Sequence, residues 1–318
     1  MASTGAATRQ RLFELYSRQL ELGGVTPTGI FICPLCCNGY TQYALDGPNP
    51  AVSLAHVVPE ALGGRLVTLA CTQCNNSNGA RLEAELIHHF GYQDWSKGVG
   101  TRKARLSGEF GNIGVEFKRS PDNSNWALHF VEAQTNPAHL TAFEEWSRKH
   151  AETPDAEITW QISWTARKRP NEVGAAIYQS AYLLMFAYFG YDFVFPSPFG
   201  KLREHILKPK DVVWPGRIND LDPNIISNML GQSDSAVMFV RKPVPCISTF
   251  LRFRPREGVE RIVGVLLPRP ESNETEIPIV KQGQLSGTVV PYRPEVLRTR
   301  PHYFDGLWRY VQSSNAPD

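Results

Sequence analysis

The sequence predicts an α+β protein, with a small strand–strand–helix module near its N terminus and a larger mixed region behind it. Two Cys-x-x-Cys pairs, at residues 33–36 and 71–74, flank two short apolar runs. A run with helical spacing follows the second pair. Beyond about residue 98, short runs separated by Gly and Asn turns alternate with longer helical runs. These observations predict a cysteine-stabilised module followed by a mixed α+β domain.

The composition is that of a globular chain. Its 318 residues are 42% hydrophobic and 20% charged, which suffices for a sizeable core. The longest apolar run, around Ala181 to Phe189, is far too short to span a bilayer. The first ten residues also lack the apolar stretch of a secretory signal. We therefore expect a cytoplasmic protein with no membrane partner, in which paired cysteines act as metal ligands more readily than as disulfides.

The net charge gives no sign of a dedicated nucleic-acid binder. The chain carries 33 Lys and Arg against 31 Asp and Glu, and its first 100 residues hold six basic against seven acidic side chains. A tight, autonomous DNA binder often has a strongly basic face. The charge balance therefore counts mildly against that class of protein.

The segment around the cysteines has the order strand, loop, strand, helix. Val52 to Val58 and Arg65 to Ala70 are strand-like, with Gly63-Gly64 in the return between them. A helix is expected from Asn75 or Asn76 to about Phe90, where apolar side chains recur at helical spacing. An amphipathic helix from Arg9 to about Leu22 precedes the module.

The remaining two-thirds of the chain predicts a second domain of unknown role. A β-meander starts near Gly98, and the tail from Pro268 is loop-rich with an aromatic patch at its end. The other predicted elements are helices at 136–150, 171–189 and 199–207 and strands at 158–164, 236–240, 247–253 and 260–267. The predicted organisation is an N-terminal helix (1–27), the cysteine module (28–97) and an α+β domain (98–318).

Cys33, Cys36, Cys71 and Cys74 predict a structural zinc site. Four thiolates complete a tetrahedral Zn²⁺ and leave no open coordination position. Metal binding of this kind contributes directly to the folding of a small core. Cys37 is interpreted as an ordinary neighbour of a ligand, although an exchange of Cys37 for a ligand stays open.

Taken together, these motifs resemble the HNH, or ββα-metal, endonucleases, and within them the four-cysteine subgroup. The resemblance rests on the first cysteine pair, on His56 in the stretch AHVVP with a Gly-Gly turn behind it, and on Asn75 directly after the second pair. It covers about residues 28–90, which is less than a third of the chain. It implies a metal-dependent endonuclease that hydrolyses phosphodiester bonds in DNA.

The resemblance also implies the roles of two site residues. His56 matches the general base that takes a proton from water, a role for which a neutral imidazole is needed. Asn75 matches a ligand of a catalytic Mg²⁺ or Mn²⁺ through its side-chain oxygen, which is a hard ligand. This cation is distinct from the zinc. Asn75 would also suit the N-cap of the helix, and the two roles are compatible.

Two positions depart from the family pattern. The residue before His56 is usually Asp, Glu or His, the first ligand of the catalytic cation, but here it is Ala55. The middle asparagine of the family has no clear counterpart, because Arg65 or Leu66 falls about there. The cation would then rely on water, phosphate and additional ligands, for which the candidates are Asn78 and Glu60.

These departures leave a second hypothesis beside the nuclease. It is a catalytically inactive zinc module that binds nucleic acid or a protein partner. A protein or small-molecule regulator of the C-terminal domain is a third hypothesis, which no motif supports. The sequence leaves the oligomeric state open.

Overall fold

A computed structural model of the chain describes two compact units. The described residues are 4–24, 28–120, 122, 125–131, 133, 135–151, 159–164, 169–212, 214, 216–223, 226, 230–231, 233–268, 285–300 and 302–313. The first unit comprises Met1–Ile87, Pro170–Arg256 and Glu260–Asp318, and the second comprises His88–Arg169 and Glu257–Val259. These units differ from the domains expected at 28–97 and 98–318, whose limits stay a prediction.

The N-terminal segment has the predicted order of strand, loop, strand and helix. Its elements are α1 (Thr4–Leu22), β1 (Ile30–Ile32), β2 (Gly39–Thr41), β3 (Val52–His56), β4 (Val67–Cys71), α2 (Thr72–Asn78), a π-helical turn (Gly79–Glu83) and α3 (Ala84–Ser96). β1 pairs with β2 and β3 with β4, both antiparallel. The helix begins at Thr72, earlier than expected, because Cys71 caps it with its thiol.

The second unit combines a four-stranded antiparallel sheet, a helix packed on it and the C-terminal part of α3. Its elements are β5 (Arg102–Gly108), β6 (Gly111–Arg119), β7 (Trp126–Phe130), α4 (Pro137–Ala151) and β8 (Gln161–Ser163), in the sheet order β7-β6-β5-β8. The predicted meander and helix are confirmed. The strand predicted at 158–164 is shorter, and Ile158 lies outside the described residues. Apolar side chains of α4, including Phe143 and Trp146, pack on one part of the sheet.

The C-terminal region contributes helices and a five-stranded antiparallel sheet to the first unit. Its elements are α5 (Pro170–Phe189), α6 (Tyr191–Val194), α7 (Ser197–Leu207), β9 (Arg217–Leu221), β10 (Ser235–Lys242), β11 (Cys246–Phe253), β12 (Arg261–Leu267), β13 (Ser286–Val290) and α8 (Tyr303–Ser313). The sheet order is β13-β10-β11-β12-β9. The prediction of an irregular tail is wrong for β13 and α8. In α8, Phe304 and Trp308 are buried against Phe239 of β10.

Helix α5 forms the core of the first unit. Every residue from Ala175 to Phe189 is buried, as expected of a helix that is apolar all round and enclosed on all sides. Tyr16 of α1 stacks on Phe186 with 4.3 Å between ring centroids. Gln19 of α1 donates a 2.9 Å hydrogen bond to the Phe189 carbonyl oxygen and accepts one of 2.9 Å from the Tyr191 amide. The N-terminal and C-terminal segments thus share one core. No helix in the described part of the chain is long and apolar enough to cross a membrane.

The return between β3 and β4 depends on two glycines. Gly63 has a φ of +86°, and a Cβ on it would lie 2.7 Å from the Arg254 carbonyl oxygen. A Cβ on Gly64 would overlap the Val58 carbonyl oxygen. The amide of Arg254, which directly follows β11, donates to the Leu62 carbonyl oxygen at 2.7 Å. The turn is therefore docked on backbone and has no room for a side chain.

We expect Gly64→Ala to lower the free energy of unfolding by about 3 kcal/mol, because a methyl group here meets backbone that cannot yield as a side chain would. Denaturant unfolding of the full chain measures the effect. The matched control is Gly174→Ala in α5, where a Cβ meets nothing within 4 Å and alanine favours the helix by roughly 1 kcal/mol. Equal stability of the two variants would contradict this account of the turn.

Candidate functional site

The four predicted zinc cysteines come together in space. The sulfur atoms of Cys33, Cys36, Cys71 and Cys74 all lie within 4.8 Å of one another. The Cys36 and Cys71 sulfurs are 3.7 Å apart, close to the roughly 3.8 Å that a tetrahedral site with Zn–S bonds of about 2.3 Å requires. Three of the four cysteines are buried. The geometry and the all-thiol donor set therefore fit a structural zinc ion.

Local backbone hydrogen bonds shape both halves of the cluster. In the first half, the Cys33 amide donates to the Asn38 carbonyl oxygen and the Cys37 amide donates to the Cys33 carbonyl oxygen, both at 2.9 Å. Cys37 has a φ of +61°, and its side chain is exposed and outside the cluster. In the second half, the Cys74 amide donates to the Cys71 sulfur at 3.4 Å. Both pairs thus form tight turns around their sulfurs.

Hydrogen bonds among the thiols of the cluster shift their pKa values in opposite directions. A hydrogen bond with the Cys33 thiol lowers the pKa of Cys36 to about 7 and holds the pKa of Cys71 well below its usual value. The reciprocal bonds with Cys36 and Cys71 raise the pKa of Cys33. A bound zinc ion would favour the deprotonated form of all four thiols, since thiolate is the ligand.

Tyrosines from the C-terminal region hold the first cysteine turn. Tyr182 of α5 donates a 2.9 Å hydrogen bond to the Pro34 carbonyl oxygen between the first two ligands. Tyr191 of α6 donates to the Ile32 carbonyl oxygen at 2.7 Å and accepts from the Ile32 amide at 2.8 Å. The sequence shows polar groups on an apolar helix, which predicts buried hydrogen bonds but not their partners. The sequence therefore does not identify Tyr182 and Tyr191 as positioning residues of the cysteine turn.

Asn75 ties helix α2 to strand β3. Its side-chain nitrogen donates to the Leu54 carbonyl oxygen at 3.0 Å and to the Ser53 hydroxyl oxygen at 3.1 Å. Both bonds use the amide nitrogen, and no bond to the amide oxygen is formed among the described residues. Asn75 is not the N-cap, because Cys71 holds that position. Its side chain is partly exposed.

His56 is the last residue of β3 and lies opposite Val67 of β4. Its side chain is partly exposed. The ring forms no hydrogen bond or ion pair with a described residue. The next residue is anchored to the neighbouring strand, because the Val57 amide donates to the Leu66 carbonyl oxygen at 2.9 Å. The strand end is thus held in place while the imidazole remains accessible.

The comparison with protein families agrees with this arrangement. Residues 46–91, which run from the segment before β3 into α3, match the family described as HNH endonuclease. This stretch is similar to HNH endonucleases and is hereafter called the HNH domain. No curated protein and no solved structure was found to match the chain. The matched range includes His56, Asn75 and the second cysteine pair, and the first pair joins the domain through the thiol cluster.

Ala55 stands where HNH domains usually carry a cation ligand, and the fold buries it. It is 2% exposed and lies opposite Thr68 of β4. The Thr68 hydroxyl, also buried, shares a 2.7 Å hydrogen bond with the Tyr16 hydroxyl of α1. Directly opposite side chains lie on the same face of a sheet and successive ones alternate, so Ala55 faces α1 and His56 lies on the other face.

The two additional ligand candidates have different surroundings. Asn78 is 1% exposed, and its nitrogen donates to the Gln179 side-chain oxygen at 2.7 Å. Its oxygen accepts from the Arg81 guanidinium at 3.4 Å. Asn78 is therefore a packing residue between α2 and α5, which argues against cation binding. Glu60, in the 3₁₀ turn Glu60–Leu62 after β3, is exposed.

The cysteine cluster gives a direct test of the zinc assignment. We expect Cys36→Ser to remove the single equivalent of bound zinc, measured by mass spectrometry of the purified, dialysed protein. The matched control is Cys37→Ser, one residue along the chain, which we expect to retain the metal because Cys37 is exposed outside the cluster. Loss of zinc from Cys37→Ser and retention by Cys36→Ser would show that the two have exchanged roles.

The burial of Ala55 gives a second prediction. We expect Ala55→Asp, which installs a usual family ligand, to lower the free energy of unfolding by about 3 kcal/mol without a gain in cleavage, because the carboxylate is buried without a partner. Ala61→Asp, at an exposed position in the same domain, is the control and should change stability little. A stable Ala55→Asp variant with faster Mg²⁺-dependent cleavage would contradict the conclusion that a carboxylate at this position is buried away from the cation site.

Proposed function

We propose that the protein is a metal-dependent endonuclease that hydrolyses phosphodiester bonds in DNA. The HNH endonuclease domain implies a nucleic-acid substrate. The observation that carries the proposal is the pairing of two elements: β3 ends in the accessible His56, and the Asn75 side chain is bonded to that same strand at Leu54. The proposed base ends this short strand and the proposed oxygen ligand is hydrogen-bonded to it, which supports a role for both in one hydrolytic site.

His56 acts as the general base in this proposal. Its neutral imidazole takes a proton from a water molecule, whose oxygen attacks the phosphorus as the bond from phosphorus to the leaving oxygen breaks. The anchored strand end fixes the position of the ring. General-base catalysis by a positioned side chain typically contributes about 10²- to 10⁴-fold to the rate.

Asn75 is the proposed protein ligand of the catalytic cation, Mg²⁺ or Mn²⁺. When bound, such a cation neutralises charge on the scissile phosphate and the leaving oxygen. The Asn75 nitrogen is occupied by Leu54 and Ser53, which leaves the oxygen to face the cation. Mg²⁺ commonly keeps several waters and uses few protein ligands where substrate phosphates assist. Glu60, an exposed carboxylate in the 3₁₀ turn after β3, is a candidate for a second protein ligand of this cation.

The zinc has a structural role in this proposal. Four thiolates leave no coordination position for water or phosphate. Because Cys74 directly precedes Asn75, the zinc site fixes the start of the helix that presents the proposed cation ligand. In this proposal, loss of the zinc would therefore also displace the ligand of the catalytic cation.

A catalytically inactive zinc module is the second candidate function. Two observations favour it. Ala55 is buried where the usual ligand stands, and among the described residues the cysteine cluster is the one group of three or more His, Cys, Asp or Glu side chains placed to share a metal. Such a module would bind nucleic acid or a protein partner without cleaving it. A cleavage assay separates the two functions.

We expect wild-type protein to nick supercoiled plasmid in the presence of Mg²⁺ or Mn²⁺, and His56→Ala to reduce the rate by about 10²-fold or more. His129→Gln, at an exposed histidine of the second unit, is the matched control and should cleave normally. Zinc content and unfolding midpoint are measured for all three proteins, so that loss of fold is distinguished from loss of the base. Equal nicking by wild type and His56→Ala would exclude His56 as the general base, and no nicking by either protein at high enzyme concentration would exclude the nuclease.

Asn75 is tested by the cation dependence of the rate. We expect Asn75→Ala to raise the Mg²⁺ concentration needed for half-maximal nicking by about tenfold or more, because a protein ligand is lost. A purely structural tie to Leu54 would lower stability but leave the half-maximal Mg²⁺ concentration unchanged. Ser53→Ala is the control: it removes one hydrogen bond of the Asn75 nitrogen and leaves the amide oxygen in place. It should therefore leave the half-maximal Mg²⁺ concentration unchanged.

A further inference from the structure

The second unit contains an aromatic cleft that the HNH domain does not use. Its volume is about 400 Å³, which lies in the range of sites for small organic groups. Five aromatic side chains and one arginine form most of its lining: Trp95, Phe117, Trp126, Trp160, Trp164 and Arg119. Four tryptophans around one opening are a large fraction of the seven in the whole chain.

The cleft lies on the part of the sheet that α4 does not cover. α4 packs over Ile113 and Val115 of β6, whereas Phe117 and Arg119, further along the same strand, line the cleft. Trp126 of β7 lies directly opposite Arg119 in the ladder. The cleft therefore stands on paired strands, which hold its walls more rigidly than loops would.

The aromatic rings form a buried floor and an exposed rim. Trp95 and Phe117 are 2% and 6% exposed, and the Trp95 ring nitrogen donates to the Phe117 carbonyl oxygen at 3.0 Å. Trp126 and Trp164 are 55% and 40% exposed. Trp126 meets Phe117 edge-on, with ring centroids 5.6 Å apart. Large exposed aromatic surfaces held by a packed floor mark a binding site.

Two arginines lie over aromatic rings in or beside the cleft. The Arg119 guanidinium lies over the Trp95 ring, 5.4 Å from its centroid, and Arg102 lies over Tyr92 at 4.8 Å. No carboxylate of the described residues lines the cleft, and Arg119 pairs with none of them. This arrangement disfavours a quaternary ammonium ligand, which aromatic cages bind, because the arginine would repel it. It favours a flat ring that carries a negative group.

We propose that this cleft binds single-stranded nucleic acid, with nucleobases stacked on Trp126 and Trp164 and a phosphate near Arg119. Stacking on aromatic side chains together with arginine is how proteins hold unpaired strands without reading their sequence. A free nucleotide shares this chemistry, but small ligands are usually enclosed over most of their surface. The half-exposed rim suits a strand that continues past the cleft. The inference goes beyond the nuclease proposal and does not depend on it.

The test is fluorescence anisotropy of a labelled 20-nucleotide oligo-dT with the full-length protein, at about 50 mM salt and without Mg²⁺ or Mn²⁺. We expect Trp126→Ala and Trp164→Ala each to weaken binding by about tenfold, and Trp126→Phe to retain most of it, since a phenyl ring still stacks. Tyr310→Ala, at an aromatic residue of α8 that is 68% exposed, is the control and should bind as wild type does.

Two further ligands, an abasic oligonucleotide and dTMP, identify what the cleft binds. An oligonucleotide of the same length with abasic sites keeps the phosphates but lacks the bases, and we expect it to bind at least tenfold more weakly. Binding as tight as that of oligo-dT would overturn the stacking proposal, as would unchanged binding by both tryptophan variants. If dTMP competes as well as the oligonucleotide does, the site takes a free nucleotide and the strand is excluded. Because the catalytic cation is left out, this assay measures binding alone, and its outcome is independent of the plasmid-nicking assay that tests the nuclease proposal.

Discussion

The first unit depends on four sulfur atoms that lie within 4.8 Å of one another. They join the turn after β1 to the junction of β4 and α2, two parts of the chain that are far apart in sequence. Because zinc binding and folding are coupled in sites of this kind, a zinc ion held there would add stability to the β3–β4 ribbon, which two short strands alone do not provide. The start of α2, and with it Asn75, is placed by the same thiols.

The C-terminal region completes this domain. α5 is buried along its length from Ala175, and two of its side chains reach the HNH domain or its cysteine turn: Gln179 bonds to Asn78 and Tyr182 bonds to Pro34. Helix α6 adds the bonds of Tyr191 to Ile32. Arg203 of α7 supports Tyr182, to whose hydroxyl it donates at 3.3 Å. A small zinc domain has too little apolar surface to form a large core. Here the core comes from helices more than a hundred residues away in the sequence.

The same packing explains the departure at Ala55. In this chain α1 covers one face of β3 and β4, where Thr68 and Tyr16 share a buried hydrogen bond. A charged ligand on that face would be desolvated beside an apolar helix, at a cost of several kcal/mol. Alanine is therefore the side chain compatible with the core. The other face, with His56, and the strand edge, with Asn75, remain available for the proposed chemistry.

The sequence by itself determined the elements and the metal ligands. Helical and strand spacing located α1, β3, β4, α4, α5 and α7, and two Cys-x-x-Cys pairs identified the cysteines that cluster, because these signals are local and each thiol pair is only three residues apart. Only the tertiary structure decided what surrounds them. Cys71 rather than Asn75 caps α2, Asn78 is committed to Gln179, and Ala55 faces α1. Trp95, Trp126 and Trp164 are distant in the chain and form one cleft only when β6 and β7 pair and α3 ends beside them. Side-chain partners across long sequence separations depend on packing in three dimensions, which no local pattern of residues encodes.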